Sequence, residues 1–339
     1  MGIPLMKQPS IRLLPLLLAA AVLPALAAPS EAPYAIAARH ALGGPGGWDY
    51  LSLDATAHRL YIARDDRVMV MDTATGKLAG EVAGMQHAHG VALAPSTHEA
   101  FVSSGRGDEV TVFDTQTLKV TRHIAVSGKN PDAILFDSAS GHLLTMNGHS
   151  NNLSVIDAKA GKELSTIALP GRPEFAVADG HGALYLNLED KNSLARVDLA
   201  TGKVTAVWPM APCDGPTGLA LDAAHGRLFS VCDNGWMIVT DAHDGHQVTK
   251  VEVGKGPDAV IYDATRHSVL SSGGDGGVLS VVAQDDADHY RLLGNLPTQK
   301  SARTMALDPV THEIYLAAAT GGGKGKPVEG FEVLVAAPH

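Results

Sequence analysis

Seven short segments decide the reading of this chain: LSLD (51–54), VALA (91–94), ILFD (134–137), AVAD (176–179), LALD (219–222), VIYD (260–263) and MALD (305–308). They return at intervals of 40 to 45 residues. Self-similarity at such a period marks a propeller or a solenoid. Each repeat unit then follows one grammar. A short turn leads to a second apolar strand, as in Arg59-Leu60-Tyr61-Ile62-Ala63. A third strand mostly ends in Asp: VMVMD (68–72), VTVFD (110–114), LSVID (153–157), LARVD (194–198) and MIVTD (237–241). A turn follows that Asp, whose side chain can accept from the backbone two residues on, so these Asp residues read as turn formers. A fourth strand closes the unit, as in Lys77 to Ala83 and Lys250 to Val253.

The seventh unit stops one strand short, after EIYLAA (313–318) and FEVLVA (331–336). A spare strand, Tyr34 to His40, stands before the first unit. Pairing the two closes a ring and removes an open sheet edge, which would otherwise template aggregation. The expected fold is therefore all-β: a seven-bladed β-propeller with four-stranded blades, its ring closed by the N-terminal strand, in a single domain over residues 28–339. A composition with 36 Gly in 339 residues and only 5% aromatics suits many short strands and tight turns.

Residues 1–27 read as a signal peptide. Lys7 and Arg12 precede an apolar run from Leu13 to Leu23, and Ala25-Leu26-Ala27 places small residues before a cleavage site. A periplasmic or secreted location follows as the expectation. No later stretch is apolar enough to span a membrane. The formal net charge of −10 repels phosphate backbones, and no Lys/Arg run offsets it, so a nucleic-acid partner is not expected.

The strand-three segments, such as Leu153-Ser154-Val155-Ile156-Asp157, and the strand-one approaches, such as Gly254-Lys255-Gly256-Pro257-Asp258-Ala259-Val260, resemble the YVTN-repeat, or YncE-like, family of secreted bacterial β-propellers. The resemblance covers essentially residues 34–339. CDGPTGLALDAAHGRLFSVC (213–232), SSGGDGGVLSVV (271–282) and PTQKSARTMALDPVTHEIYLAA (297–318) are similar to one secreted subgroup. It implies the propeller fold and supplies no reaction, since this fold hosts many unrelated functions.

The two cysteines, Cys213 and Cys232, flank the first two strands of unit five and fall near one rim. In an oxidising compartment a disulfide is the expected state. A metal or redox pair is the alternative, and the usual close spacing is missing.

Sixteen His suggest a metal protein until the repeat sorts them. His58, His98, His142, His181, His225, His267 and His312 all fall in the turn after strand one and read as exposed turn residues. His87 and His89 form an H-x-H pair near the opposite face, which could hold a metal. Counting five back from the end of each strand-one segment gives Asp49, His89, Asp132, Glu174, Thr217, Asp258 and Arg303. Two positions after each come Leu51, Val91, Ile134, Ala176, Leu219, Val260 and Met305, all apolar. A polar ring should thus sit at the channel mouth above an apolar wall. Asp49, His89, Asp132, Glu174, Asp258 and Arg303 are the expected ligand-binding residues. Carboxylates suit Ca²⁺, whereas His87, His89 and Glu174 would suit a transition metal such as Zn²⁺. Arg303 could grip an anionic group bidentately.

There is no Walker loop, G-x-S-x-G, H-E-x-x-H or C-x-x-C-H motif. Gly321-Gly322-Gly323-Lys324-Gly325-Lys326 lacks the Ser or Thr a phosphate loop needs and reads as a flexible insertion. Two functions stay open. One is a non-enzymatic module binding a protein, peptide or small-molecule ligand through its top face. The other is a metal-dependent hydrolase or lactonase at the channel mouth, with His89 as base.

Overall fold

Within each repeat unit the second and third strands are buried almost throughout, as in His142–Asn147 and Asn152–Asp157, while the fourth, as in Lys203–Pro209, alternates between exposed and half-buried residues. Sheets stacked face to face around a ring require this pattern: inner strands are covered on both faces, outer strands on neither fully. A computed structural model describes residues 1–4, 32–321 and 328–339. The leader expected at residues 1–27 lies, beyond its first four residues, outside the described residues, as does the Gly-rich insertion after Gly321. Glu31–His339 form one compact unit. No helix among the described residues is long and apolar enough to cross a membrane.

The fold is an all-β propeller with four-stranded blades. Hydrophobic clusters lie between successive units; one packs Phe101, Val110 and Val112 against Leu143 and Ile156. The ring closes as expected. Tyr34–Ala41 runs antiparallel to Glu332–Pro338, from Tyr34 opposite Pro338 to Ala41 opposite Glu332.

The blade count needs correction: the seven repeat units fill six hydrogen-bonded sheets, not seven. Five sheets have four strands, and the first two units share one sheet of six. The cause is local. Strand Lys77–Ala94 serves both units, pairing with Arg59–Asp72 through its first half and with Glu99–Ser104 through its second. Ala88 is paired on both sides, with Asp65 and with Ser104.

The turn Asp residues take the role expected of them. Asp72, Asp114, Asp157 and Asp198 each accept a backbone N–H three residues on, at 2.7–2.8 Å. Hydrogen bonds from Thr75, Thr117 and Thr201 hold the Asp72, Asp114 and Asp198 carboxyls below the usual range. Among the turn histidines, His312 departs from expectation. It is half-buried, and its Nδ1 lies 2.7 Å from Oδ2 of buried Asp263, tying unit seven to unit six.

Cys213 and Cys232 are joined, with Cα atoms 5.5 Å apart and both side chains buried. The bond closes a loop across a separation of 19 residues. Loop-closure entropy puts its contribution at about 3 kcal/mol. Cys213→Ala/Cys232→Ala should therefore lower the urea midpoint accordingly; an unchanged midpoint in equilibrium unfolding would count against this account.

Candidate functional site

Four strand-one segments begin with Pro: Pro131–Asp137, Pro173–Ala178, Pro216–Asp222 and Pro257–Asp263. Proline at a strand's first position forgoes only a donor the ladder does not yet need. In all four the pairing register slips over the next three residues, between Pro131 and Ile134, Pro173 and Ala176, Pro216 and Leu219, and Pro257 and Val260. An irregularity of this kind re-aims a side chain out of the sheet. Asp132, Glu174, Thr217 and Asp258 are the residues so released.

Around the mouth these groups form linked pairs. Asp49 Oδ2 accepts from His89 Nδ1 at 2.7 Å, and Asp132 Oδ1 lies 3.3 Å from the same nitrogen. Arg303 Nε contacts Asp258, while its Nη2 donates to Trp48 O at 2.8 Å and lies 4.0 Å from Asp49 Oδ1. Tyr50 Oη donates to Glu174 Oε1 at 3.2 Å. Thr217 stands apart from the site. Its buried hydroxyl bonds backbone carbonyls of Val231 and Pro257 and ties strands together.

The apolar wall below is present. A chamber of about 100 Å³ is lined by Leu51, Val91, Ile134, Leu219, Val260 and Met305, with the Tyr50 and Phe175 rings tilted against each other, centres 5.2 Å apart. Beside the ring opens a larger cleft of about 950 Å³, on which Trp48, Asp49, His87, His89 and Arg303 converge.

Burial sets the electrostatics. It raises Asp132 to about 7 and Asp258 to about 6, against the pull of His89 and Arg303 respectively, and neighbouring carboxylates add to the rise. Glu174 is pushed well up by burial and then by Asp132. Burial pulls His89 down, but the Asp49 hydrogen bond and the Asp132 and Asp49 charges outweigh it, and its pKa ends raised. A carboxyl raised in the folded state binds more protons there than in the unfolded chain, so stability falls as pH climbs from about 4 through the folded value. Glu174→Gln keeps an acceptor for Tyr50 and removes the charge. It should raise the melting temperature at pH 8 and leave it unchanged near pH 4; equal shifts at both pH values would contradict this electrostatic reading.

The structure does not bring the expected His87, His89 and Glu174 together. The His87 and His89 rings do lie side by side, 4.5 Å apart, but His87 Nδ1 points to Asp65 at 2.8 Å. Glu174 is engaged with Tyr50. At the mouth, the group whose ligand atoms all lie within 4.8 Å of one another is Asp49, His89 and Asp132; Asp241, Asp244 and His246 form a second such group away from it.

One residue behind the site escaped the repeat frame. Arg64 is fully buried and, among the described residues, makes no ion pair, with Glu81 and Asp66 acting on its charge only from a distance. Its guanidinium donates to the carbonyls of Gly43 (3.3 Å), Gly44, Pro45, Gly46 and Gly47 (3.0 Å each) and stacks 3.7 Å from the Phe331 ring centre. Burial lowers its pKa to about 10. Gly43, Gly44 and Gly46 have φ of 65°, 81° and 94°, so the loop can wrap inward only with glycine there. This loop delivers Trp48 and Asp49 to the mouth.

No protein-family profile matches the chain. Two curated relatives do, the uncharacterized YncE proteins of Salmonella typhimurium and Salmonella typhi, each 27% identical over 150 residues. Each match spans 42% of this chain and 42% of the relative, less than half of either length. Among solved structures, Kuenenia stuttgartiensis hydrazine synthase aligns with a TM-score of 0.73 at 16% identity, over 82% of this chain and 94% of the other. The WD40 repeats of RRP9 align at 0.78 and 10% identity, over 90% and 99%. Likeness at such identities speaks for the fold alone. Repeat grammar, ring closure and these structural similarities agree on a β-propeller fold, and over less than half of its length the chain is similar to the YncE proteins.

Proposed function

We propose that the chain is a periplasmic ligand-binding module whose site is the channel mouth. The observation that carries this reading is the convergence of Asp49, His89 and Arg303, from three repeat units, on one large cleft beside the ring and its apolar chamber. Rigid strands supply the frame and released side chains supply recognition, the usual division of labour in binding sites. The leader-like residues 1–27 and the disulfide support an oxidising compartment. Thermal-shift screening of peptides, organic acids and amines against the wild type and Asp49→Asn/Arg303→Gln tests the site. A ligand that stabilises only the wild type is expected, and ligands that stabilise both proteins equally would move the site elsewhere. Cleavage after Ala27 would give protein from a periplasmic extract an N-terminus at Ala28.

A second reading, a metal-dependent hydrolase or lactonase, has one specific observation behind it: Asp49, His89 and Asp132 converge closely enough to ligate one ion. A mixed oxygen–nitrogen set of three suits Zn²⁺ or Mn²⁺ better than Ca²⁺, which asks for six or more oxygens. Bound there, such an ion would supply an activated water. His89 turns one nitrogen to the carboxylates and buries the other, so it can serve as ligand or as base but not as both. Stoichiometric Zn²⁺ uptake that Asp132→Asn and His89→Gln both abolish, with ester or lactone hydrolysis, would support this reading. Wild type that takes up no Zn²⁺ or Mn²⁺ would end it.

A further inference from the structure

We infer that the cleft selects a small organic oxyanion, held against Arg106 and Lys300. The inference rests on the channel-mouth reading and adds the class of ligand. It follows from which charges and donors in the cleft already have partners.

The acids are satisfied. Asp49 accepts from His89 at 2.7 Å and faces Arg303 at 4.0 Å, and Asp65 lies 2.8 Å from His87 Nδ1. The bases are not. Arg106 and Lys300 line the same cleft, and among the described residues neither has an ion pair or a side-chain hydrogen bond. Arg106 stands close enough for its charge to oppose protonation of His89. Arg303 is tied to Asp258 and Trp48 O and completes a basic wall.

The neutral groups point the same way. Two cleft-lining side chains carry buried N–H groups without an acceptor: Trp48 Nε1 and Gln299 Nε2. The Gln299 amide is oriented by Arg39, which donates to its Oε1 at 3.2 Å, so the nitrogen is the end left over. Trp48 is 9% exposed, and an orphan donor at that depth costs about 1–3 kcal/mol. His89 Nε2 is buried and unpaired as well, and no side-chain oxygen lining the cleft is in that state. What the cleft lacks is acceptors for the Trp48 and Gln299 N–H groups and a negative charge to meet Arg106 and Lys300. In a chain of net charge −10 this is a local reversal of sign, not the general character of the surface.

The experiment is isothermal titration of the full mature chain at low salt with succinate, citrate and inorganic phosphate, and with choline and spermidine as cationic probes. Arg106 and Lys300 are exposed, so Arg106→Gln/Lys300→Gln should fold normally, which thermal melting checks. The inference expects an oxyanion to bind the wild type, to weaken as NaCl rises, and to lose at least tenfold affinity in the double variant. Succinate or citrate binding without phosphate identifies a carboxylate as the group held; phosphate alone identifies a phosphoryl group. Equal affinity in the double variant overturns the inference. Binding of a cationic probe that Asp49→Asn removes, with no oxyanion binding, also overturns it while leaving the mouth as the ligand site. Failure of all five probes overturns it too, and the broader ligand screen then judges the mouth reading separately.

Discussion

Arg64→Met should lower the unfolding free energy by about 3–5 kcal/mol, the order expected when several charge-assisted hydrogen bonds to buried carbonyls are lost together. Methionine fills much of the volume and can still pack on Phe331, so packing loss is small and the effect isolates the guanidinium. Without it, the carbonyls of Gly43, Gly44, Gly46 and Gly47 lose their donor while Pro45 O keeps Arg67 Nη2 at 2.8 Å, and each group left dry costs about 1–3 kcal/mol. The loop should relieve this by swinging towards water, carrying Trp48 and Asp49 away from the mouth. Arg64→Lys should be only a partial rescue, because three donors on a point charge cannot serve a fan of carbonyls that a planar fork can. Urea unfolding measures the first effect, and the loss of whatever ligand or metal response the wild type shows measures the second. A methionine variant within 1 kcal/mol of wild type would mean the glycine loop holds its shape unaided.

Deleting residues 32–41 should abolish the soluble monomer. Strand Glu332–Pro338 would then present seven residues of unpaired edge, and the contact that joins the two ends of the chain would vanish. Tyr34, 2% exposed and packed into the last hydrophobic cluster, is alone worth about 3 kcal/mol by comparison with other large core truncations. Size-exclusion chromatography with light scattering should show aggregate or swapped oligomer in place of monomer. A synthetic peptide of residues 32–41 should restore the monomer by refilling the gap. A truncated chain that stays monomeric with an unchanged melting temperature would show that the ring does not depend on this strand.

Most of the fold was legible because its signals are local and repeated. The strand-one segments and turn Asp residues each recur in most units, so one reading checked the next. The spare strand at Tyr34–Ala41 was legible because the last unit was visibly short. The mouth ring followed from counting along the repeat, and six of the seven expected wall residues line the chamber beneath it. What stayed hidden depends on contacts between units. Nothing in the spacing of His87, His89 and Glu174 reveals that His87 is taken by Asp65 while Asp49, forty residues back, reaches His89 instead. Arg64 reads as a surface charge in an apolar strand until the glycine loop is seen folded over it. The shared sheet of units one and two turns on the double pairing of Ala88, which a repeat count smooths over. His312 looks like its six counterparts, and only the neighbouring unit's Asp263 sets it apart.

That double pairing has a mechanical consequence. Asp49 and His89 belong to the two units that share a sheet, and Tyr50 N also donates to His89 O at 3.0 Å. Asp132 leads a separate sheet, with no backbone ladder to theirs; packing and scattered side-chain hydrogen bonds, such as Ser103 Oγ to Asp132 O, join the two. When the ring breathes, hydrogen-bonded ladders resist stretching while the seams between sheets give. The 2.7 Å contact between Asp49 and His89 is then the fixed jaw of a caliper, and the 3.3 Å gap from His89 to Asp132 is the jaw that slides.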